Sequence, residues 1–215
     1  RYPGFDEHHR SIALWLYHGG ESVFLQDADS LVMKTDDIVT ILRHVRDVFP
    51  SVTRITSYCR SHTAARKSPE DWKLLREAGL SRVHTGMESG CDAVLQFMKK
   101  GVTSEEQIAG GVKIREAGSS LCEYYMPGLG GRQWSREHAL ASARVISRIN
   151  PAFVRLRTLH VVPGTDLHEA VEDGSFTPLG DEEILQEIRL FIENLTPLKR
   201  TLAKKKLKKL QDESA

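Results

Sequence analysis

Apolar and polar positions alternate along this chain in blocks. Four short apolar stretches, at residues 23–29, 82–90, 121–128 and 153–164, each run out into polar or glycine residues. Amphipathic helical patterns separate them. Ile38, Ile41, Leu42, Val45 and Phe49 fall on one face of a helix predicted over 36–49, which Pro50 ends. Ser68-Pro69-Glu70-Asp71 carries the signature of a capped helix start, and Gly79 ends that helix. The same reading predicts helices over 91–98, from Thr103 to Gly118, over 136–149, over 166–172 and over 181–194. Residues 12–18 read as a helix end stopped by Gly19-Gly20. Strands are expected at 22–27, 53–58, 82–86, 121–125 and 153–161. Their spacing suits one strand, one helix and turns per unit, which predicts an α/β chain with a parallel sheet. Five such units are too few for a closed eight-strand barrel. They suit most of a six-strand, partly open TIM-like barrel without its first strand, its chemistry on the loops after the strands.

Composition narrows the class. The 215 residues are 40% hydrophobic and 27% charged, and so can form a large soluble domain. A net charge of +1 gives no global pull toward nucleic acid or an anionic membrane. No stretch approaches the ~18–20 apolar residues of a membrane span, and no secretory signal is visible. Three widely spaced cysteines, Cys59, Cys91 and Cys122, argue against a disulfide framework and for a reducing, cytoplasmic setting. The division expected is an N-terminal remnant over 1–21, a barrel core over 22–168 and a C-terminal helical extension over 169–215. Within that extension, Lys199, Arg200, Lys204, Lys205, Lys206, Lys208 and Lys209 alternate with leucines and lack aromatic partners. They read as a solvated helix face; nucleic acid is not expected as a partner, and this tail is where it would be met. His62, His84 and His160 lack a metal-ligand spacing, and neither a P-loop nor a dinucleotide fingerprint is present.

Several motifs occur in a telling order. Gly86-Met87-Glu88-Ser89-Gly90-Cys91-Asp92-Ala93-Val94-Leu95, followed by Met98-Lys99-Lys100-Gly101-Val102-Thr103, resembles the central stretch of radical S-adenosylmethionine (radical SAM) enzymes. Phe24 through Leu31 resembles the end of that family's second strand. Tyr125 through Gly131 resembles the glycine-rich end of the fifth, and Val161-Val162-Pro163-Gly164-Thr165 the end of the sixth. The resemblance covers residues 22–168. Gly19-Gly20-Glu21 imitates a family motif but precedes its strand, and is set aside.

The resemblance implies a radical SAM enzyme using S-adenosylmethionine and a [4Fe–4S] cluster. The reduced cluster would cleave S-adenosylmethionine to a 5′-deoxyadenosyl radical, which abstracts hydrogen from a substrate of unknown identity. A flavodoxin or ferredoxin would supply the electron. By the same resemblance Asp27 and Asp29 are candidates for the cofactor's amino group, Glu88 with Ser89 for its ribose or amino-acid part, and Lys100 for its carboxylate. Arg60 would line the mouth, Gly128 would let backbone approach the cofactor closely, and Val162 is a further candidate for cofactor contact. Other roles are open to several of them: a turn cap for Asp29, an ion pair for Asp27, a solvated helix end for Lys100. Tyr58, Arg60, Tyr125 and Arg157 are read as mouth residues that suit a polar or anionic ligand.

One departure stands out. The family holds its cluster through cysteines spaced C-x3-C-x2-C, and this sequence has no such triplet. Two readings follow: the cluster ligands lie upstream of residue 1, which is Arg rather than Met, or the chain is a degenerate module that binds S-adenosylmethionine or a related nucleoside without a cluster. An unrelated barrel lyase would need a strand lysine, and none is found.

Overall fold

The computed structural model describes residues 6–26 and 28–195. Five strands form one parallel sheet in chain order: β1 (Ser22–Leu25), β2 (Arg54–Arg60), β3 (Leu80–Glu88), β4 (Ser120–Tyr125) and β5 (Phe153–Leu156). Helices α1 (Glu7–Tyr17), α2 (Thr35–Val48), α3 (Ser61–Arg66), α4 (Pro69–Ala78), α5 (Asp92–Phe97), α6 (Ser104–Glu116), α7 (Gly131–Ile149), α8 (Asp166–Glu172) and α9 (Asp181–Glu193) precede, connect and follow the strands. This is an α/β, partial TIM-like arrangement.

Local chemistry explains the helix starts. Ser68 Oγ accepts the Asp71 N–H at 3.0 Å while Asp71 Oδ2 accepts the Ser68 N–H at 3.0 Å. Thr103 and Glu106 repeat this reciprocal cap at α6. Two differences from the sequence reading have physical causes. β5 ends at Leu156, well short of Val161, because it is an edge strand paired on one side only, and Pro163 and Gly164 follow in irregular chain. Helix α3, absent from the sequence reading, is a six-residue turn of polar and small residues with no apolar period to betray it.

Alternation along the strands divides the sheet into two faces. Ile55, Cys59, Val83, Met87, Leu121 and Tyr125 enter one core with Leu31, Ile38, Leu42, Trp72, Leu75, Ile114, Val145 and Ile146 from the helical layer. Phe191, Ile192 and Leu195 join that core, and Phe191 stacks on Tyr125 with centroids 4.2 Å apart. Helix α9 is therefore part of the core that the strands build. The placing of Tyr125 at the mouth is corrected here: it is fully buried on the helix side, and its neighbour Tyr124 takes the other face.

At Gly90 the chain after β3 touches the backbone of α7. Its N–H donates to Ser142 Oγ at 2.8 Å, and an added Cβ would lie 2.7 Å from both Ala141 O and Ser142 Cα. Neither neighbour is a flexible side-chain tip. Gly90→Ala is expected to lower stability by ~1–3 kcal/mol through overpacking, read as a fall of several degrees in the thermal midpoint by circular dichroism. An unchanged midpoint would refute this close packing.

Candidate functional site

The sheet face turned away from the helical layer carries a row of rings. Phe24 and Tyr58 lie 4.7 Å apart, Tyr58 and His84 5.8 Å, and His84 stacks on Tyr124 at 5.9 Å. At the C-terminal ends of β2, β3 and β4 this face opens into a cavity of about 380 Å³. Tyr58, His84 and Tyr124 form its floor; Arg60, Gly86, Glu88, Lys100 and Val102 stand around its rim. The volume lies within the ~300–1,000 Å³ range of small-molecule sites.

Glu88 ends β3 with φ of +59°, a left-handed conformation that is uncommon for a residue with a side chain. The Ser89 N–H donates back to Met87 O at 2.7 Å, closing a tight γ-turn centred on Glu88. The turn aims the carboxylate at Lys100, with which it forms an ion pair, both side chains about one-quarter exposed. Lys100 is brought there by the end of α5, where Lys99 also has positive φ and the Lys100 N–H donates to Leu95 O at 2.9 Å. A Cβ on Gly86 would sit 3.0 Å from Glu88 Oε1, so glycine there keeps room for the carboxylate.

Behind the turn sits a buried relay. His138 Nε2 is 3.1 Å from Met126 O, and a carbonyl can only accept. Nε2 therefore carries the proton, and Nδ1 accepts the Ser89 hydroxyl at 2.8 Å. Ser89 Oγ in turn accepts the Cys91 N–H at 3.0 Å. Burial depresses His138 to about 4, so the imidazole is neutral even though Glu187 Oε1 lies 3.7 Å away. Glu187, itself pushed up by burial, accepts from Ser135 Oγ at 2.6 Å, Gly128 N at 2.8 Å and Tyr125 Oη at 3.2 Å.

The structure brings Arg60, Glu88 and Lys100 together at the cavity and takes four other candidates elsewhere. Asp29 accepts the Arg60 N–H at 3.1 Å and the Thr63 hydroxyl at 2.6 Å, so both its oxygens are engaged at the start of α3. Ser89 is fully buried in the His138 relay, and Gly128 gives its N–H to Glu187. Val162 is 54% exposed and outside the cavity wall. Asp27 lies outside the described residues. Tyr124, His84 and His138 were not picked out for this site; Tyr124 and His84 share the register parity of Tyr58, the signal that could have found them.

Cys59, Cys91 and Cys122 are buried on separate elements, and no three His, Cys, Asp or Glu side chains among the described residues gather as metal ligands. The residues present do not fit a [4Fe–4S] cluster. The cavity does fit a zwitterionic cofactor, since carboxylate and ammonium stand side by side on its rim. No helix among the described residues is long and apolar enough to cross a membrane.

Comparison with known proteins agrees with this architecture. The model of the radical SAM superfamily matches residues 8–143. Curated tRNA uridine(34) acetyltransferases of Methanocaldococcus jannaschii and Methanocaldococcus infernus are 25% and 24% identical over 111 and 122 residues, which are 51% and 56% of this chain. The matched stretch is only 20% and 23% of those proteins' own lengths. Among solved structures, Methanocaldococcus infernus Elp3 with an N-terminal deletion superposes with a TM-score of 0.66 at 18% identity, over 85% of this chain and 48% of that one. Coproporphyrinogen III oxidase (HemN) of Escherichia coli superposes with a TM-score of 0.63 at 15% identity, over 80% and 40%. At such identities the likeness is one of fold.

His84 and His138 together set an acid limit. Burial leads both down to about 4, with Arg155, Arg82 and Arg157 adding to the effect at His84. In the unfolded chain each takes a proton near 6.5. The contribution is thus complete above pH ~6.5 and is lost as pH falls through about 4, at up to ~1.4 kcal/mol per unit for each residue. Urea unfolding between pH 7.5 and 4 should show this slope, and His138→Asn should flatten it; an equal slope in the variant would contradict a neutral, buried His138.

Proposed function

Because the chain belongs to the radical SAM superfamily, we propose that it is the S-adenosylmethionine-binding core of a radical SAM enzyme. The Glu88–Lys100 pair carries this reading. An amino-acid zwitterion presents an ammonium and a carboxylate; Glu88 would accept from the first, or from the ribose hydroxyls, and Lys100 would donate to the second. Arg60 flanks the pair, and Tyr58, His84 and Tyr124 offer an aromatic floor for the nucleoside. When bound, S-adenosylmethionine would supply a sulfonium open to reductive C–S cleavage, the electron coming from a reduced cluster that Cys59, Cys91 and Cys122 do not hold. The residues of this chain bind and orient S-adenosylmethionine, and the aromatic floor covers one side of the bound cofactor. On this reading the cluster is held by cysteines other than Cys59, Cys91 and Cys122. The acetyl transfer named for the curated relatives is not carried over, since about a fifth of their length is shared.

A second reading draws on those same buried cysteines: a module that binds S-adenosylmethionine or a related nucleoside without cleaving it. Release of 5′-deoxyadenosine under reducing, anaerobic conditions, from the chain together with the segment or partner that holds the cluster, would exclude it.

Calorimetric titration with S-adenosylmethionine tests the shared core of both. Glu88→Gln and Lys100→Met are each expected to weaken binding at least tenfold with little change in the thermal midpoint, and undiminished affinity in both would sink the assignment. Anaerobic reconstitution of the 215-residue chain is expected to yield no stoichiometric cluster. About four irons per chain, lost on replacing Cys59, Cys91 and Cys122 by alanine, would overturn the view that these cysteines are not ligands.

A further inference from the structure

The inner sheet face beyond the cavity is strongly cationic. Arg155 pairs in register with Tyr124, and the Arg157 guanidinium lies 4.6 Å over the Tyr124 ring. Arg82 lies 4.5 Å over Phe153 from the opposite end of the strands, its Nε 3.4 Å from Ser120 Oγ. Among the described residues, none of the three arginines makes an ion pair with a carboxylate. The carboxylate at the rim, Glu88, is taken by Lys100, and Glu123 points to the other side of β4. All three arginines act on His84, so their field reaches the centre of this face.

Building on the cofactor reading above, we propose that the face beside Tyr124 binds the phosphate of a phosphorylated substrate through Arg155 and Arg157. With its carbon 4.6 Å from the ring centroid, the Arg157 guanidinium keeps five N–H donors, which suit the oxygens of a phosphate beside the ring. Two neighbouring guanidiniums with no carboxylate partner among the described residues are balanced by one doubly charged phosphate, whereas a single carboxylate balances one. The backbone supports the placement: the Arg157 N–H donates to Tyr125 O at 2.9 Å, continuing the strand alignment past Leu156 and setting both arginines beside the same ring. The non-phosphate part of the substrate then extends over Tyr124 and His84 toward the cavity, where the cofactor's reacting end would lie.

Calorimetry at constant ionic strength, with inorganic pyrophosphate and tricarballylate as probes, tests this surface. Pyrophosphate is expected to bind at one site, at least tenfold more tightly than tricarballylate. Arg155→Gln and Arg157→Gln should each weaken it at least tenfold, with partial recovery in the lysine variants. Arg82→Gln, with its Nε already engaged, should change it less than threefold. Absence of pyrophosphate binding, preference for tricarballylate, or full affinity in both glutamine variants would overturn the proposal. S-adenosylmethionine titrated into the same samples separates the two readings: failure to bind it alongside arginine-dependent pyrophosphate binding would sink the cofactor assignment and uphold the phosphate surface.

Discussion

The rest of the site depends on one neutral imidazole. His138 ties the loop after β3 to the loop after β4, accepting from Ser89 on one nitrogen and donating to Met126 on the other. Its hydrogen-bond polarity is fixed by the carbonyl, and a protonated ring would have no acceptor left for the serine hydroxyl. Because Ser89 follows Glu88 directly, this link holds the positive-φ turn that presents the carboxylate. A conformation costing ~1–3 kcal/mol persists when its surroundings over-determine it, and here the ring, the Ser142 hydroxyl and the Met126 N–H to Glu88 O bond all act on three consecutive residues. The cavity is thus a product of buried hydrogen bonding as much as of the side chains that line it.

The fold was readable because its signals are local. Capping residues at Ser68 and Thr103, the helical stripe from Ile38 to Phe49 and the spacing of apolar strands all act within a few residues of where they are seen. The C-terminal edge was less readable, because an edge strand has one neighbour and its composition does not say where pairing stops. Glu88 and Lys100 were legible through a motif.

The remaining candidates show that a motif does not fix where its side chains point. Ser89 sits next to Glu88 in sequence, yet in a tight turn successive side chains leave in different directions, and Ser89 points into the core. Asp29 has the right chemistry, but the start of α3 claims both its oxygens; α3 itself could not be seen in the sequence. Tyr124 and Tyr125 are adjacent tyrosines, and a shift of one position along a strand exchanges the two faces of the sheet. Register decides that exchange, and register is a property of neighbouring strands.

The packing of Phe191 on Tyr125 and the burial of Glu187 bear on how short this chain can be made. Helix α9 supplies the carboxylate that satisfies the Tyr125 hydroxyl, the Ser135 hydroxyl and the Gly128 amide. A polypeptide cut before Asp181 would leave those donors without their acceptor and expose the ring beneath β4. A shortened chain that keeps this core intact must therefore extend through Leu195, some thirty residues past the last barrel motif.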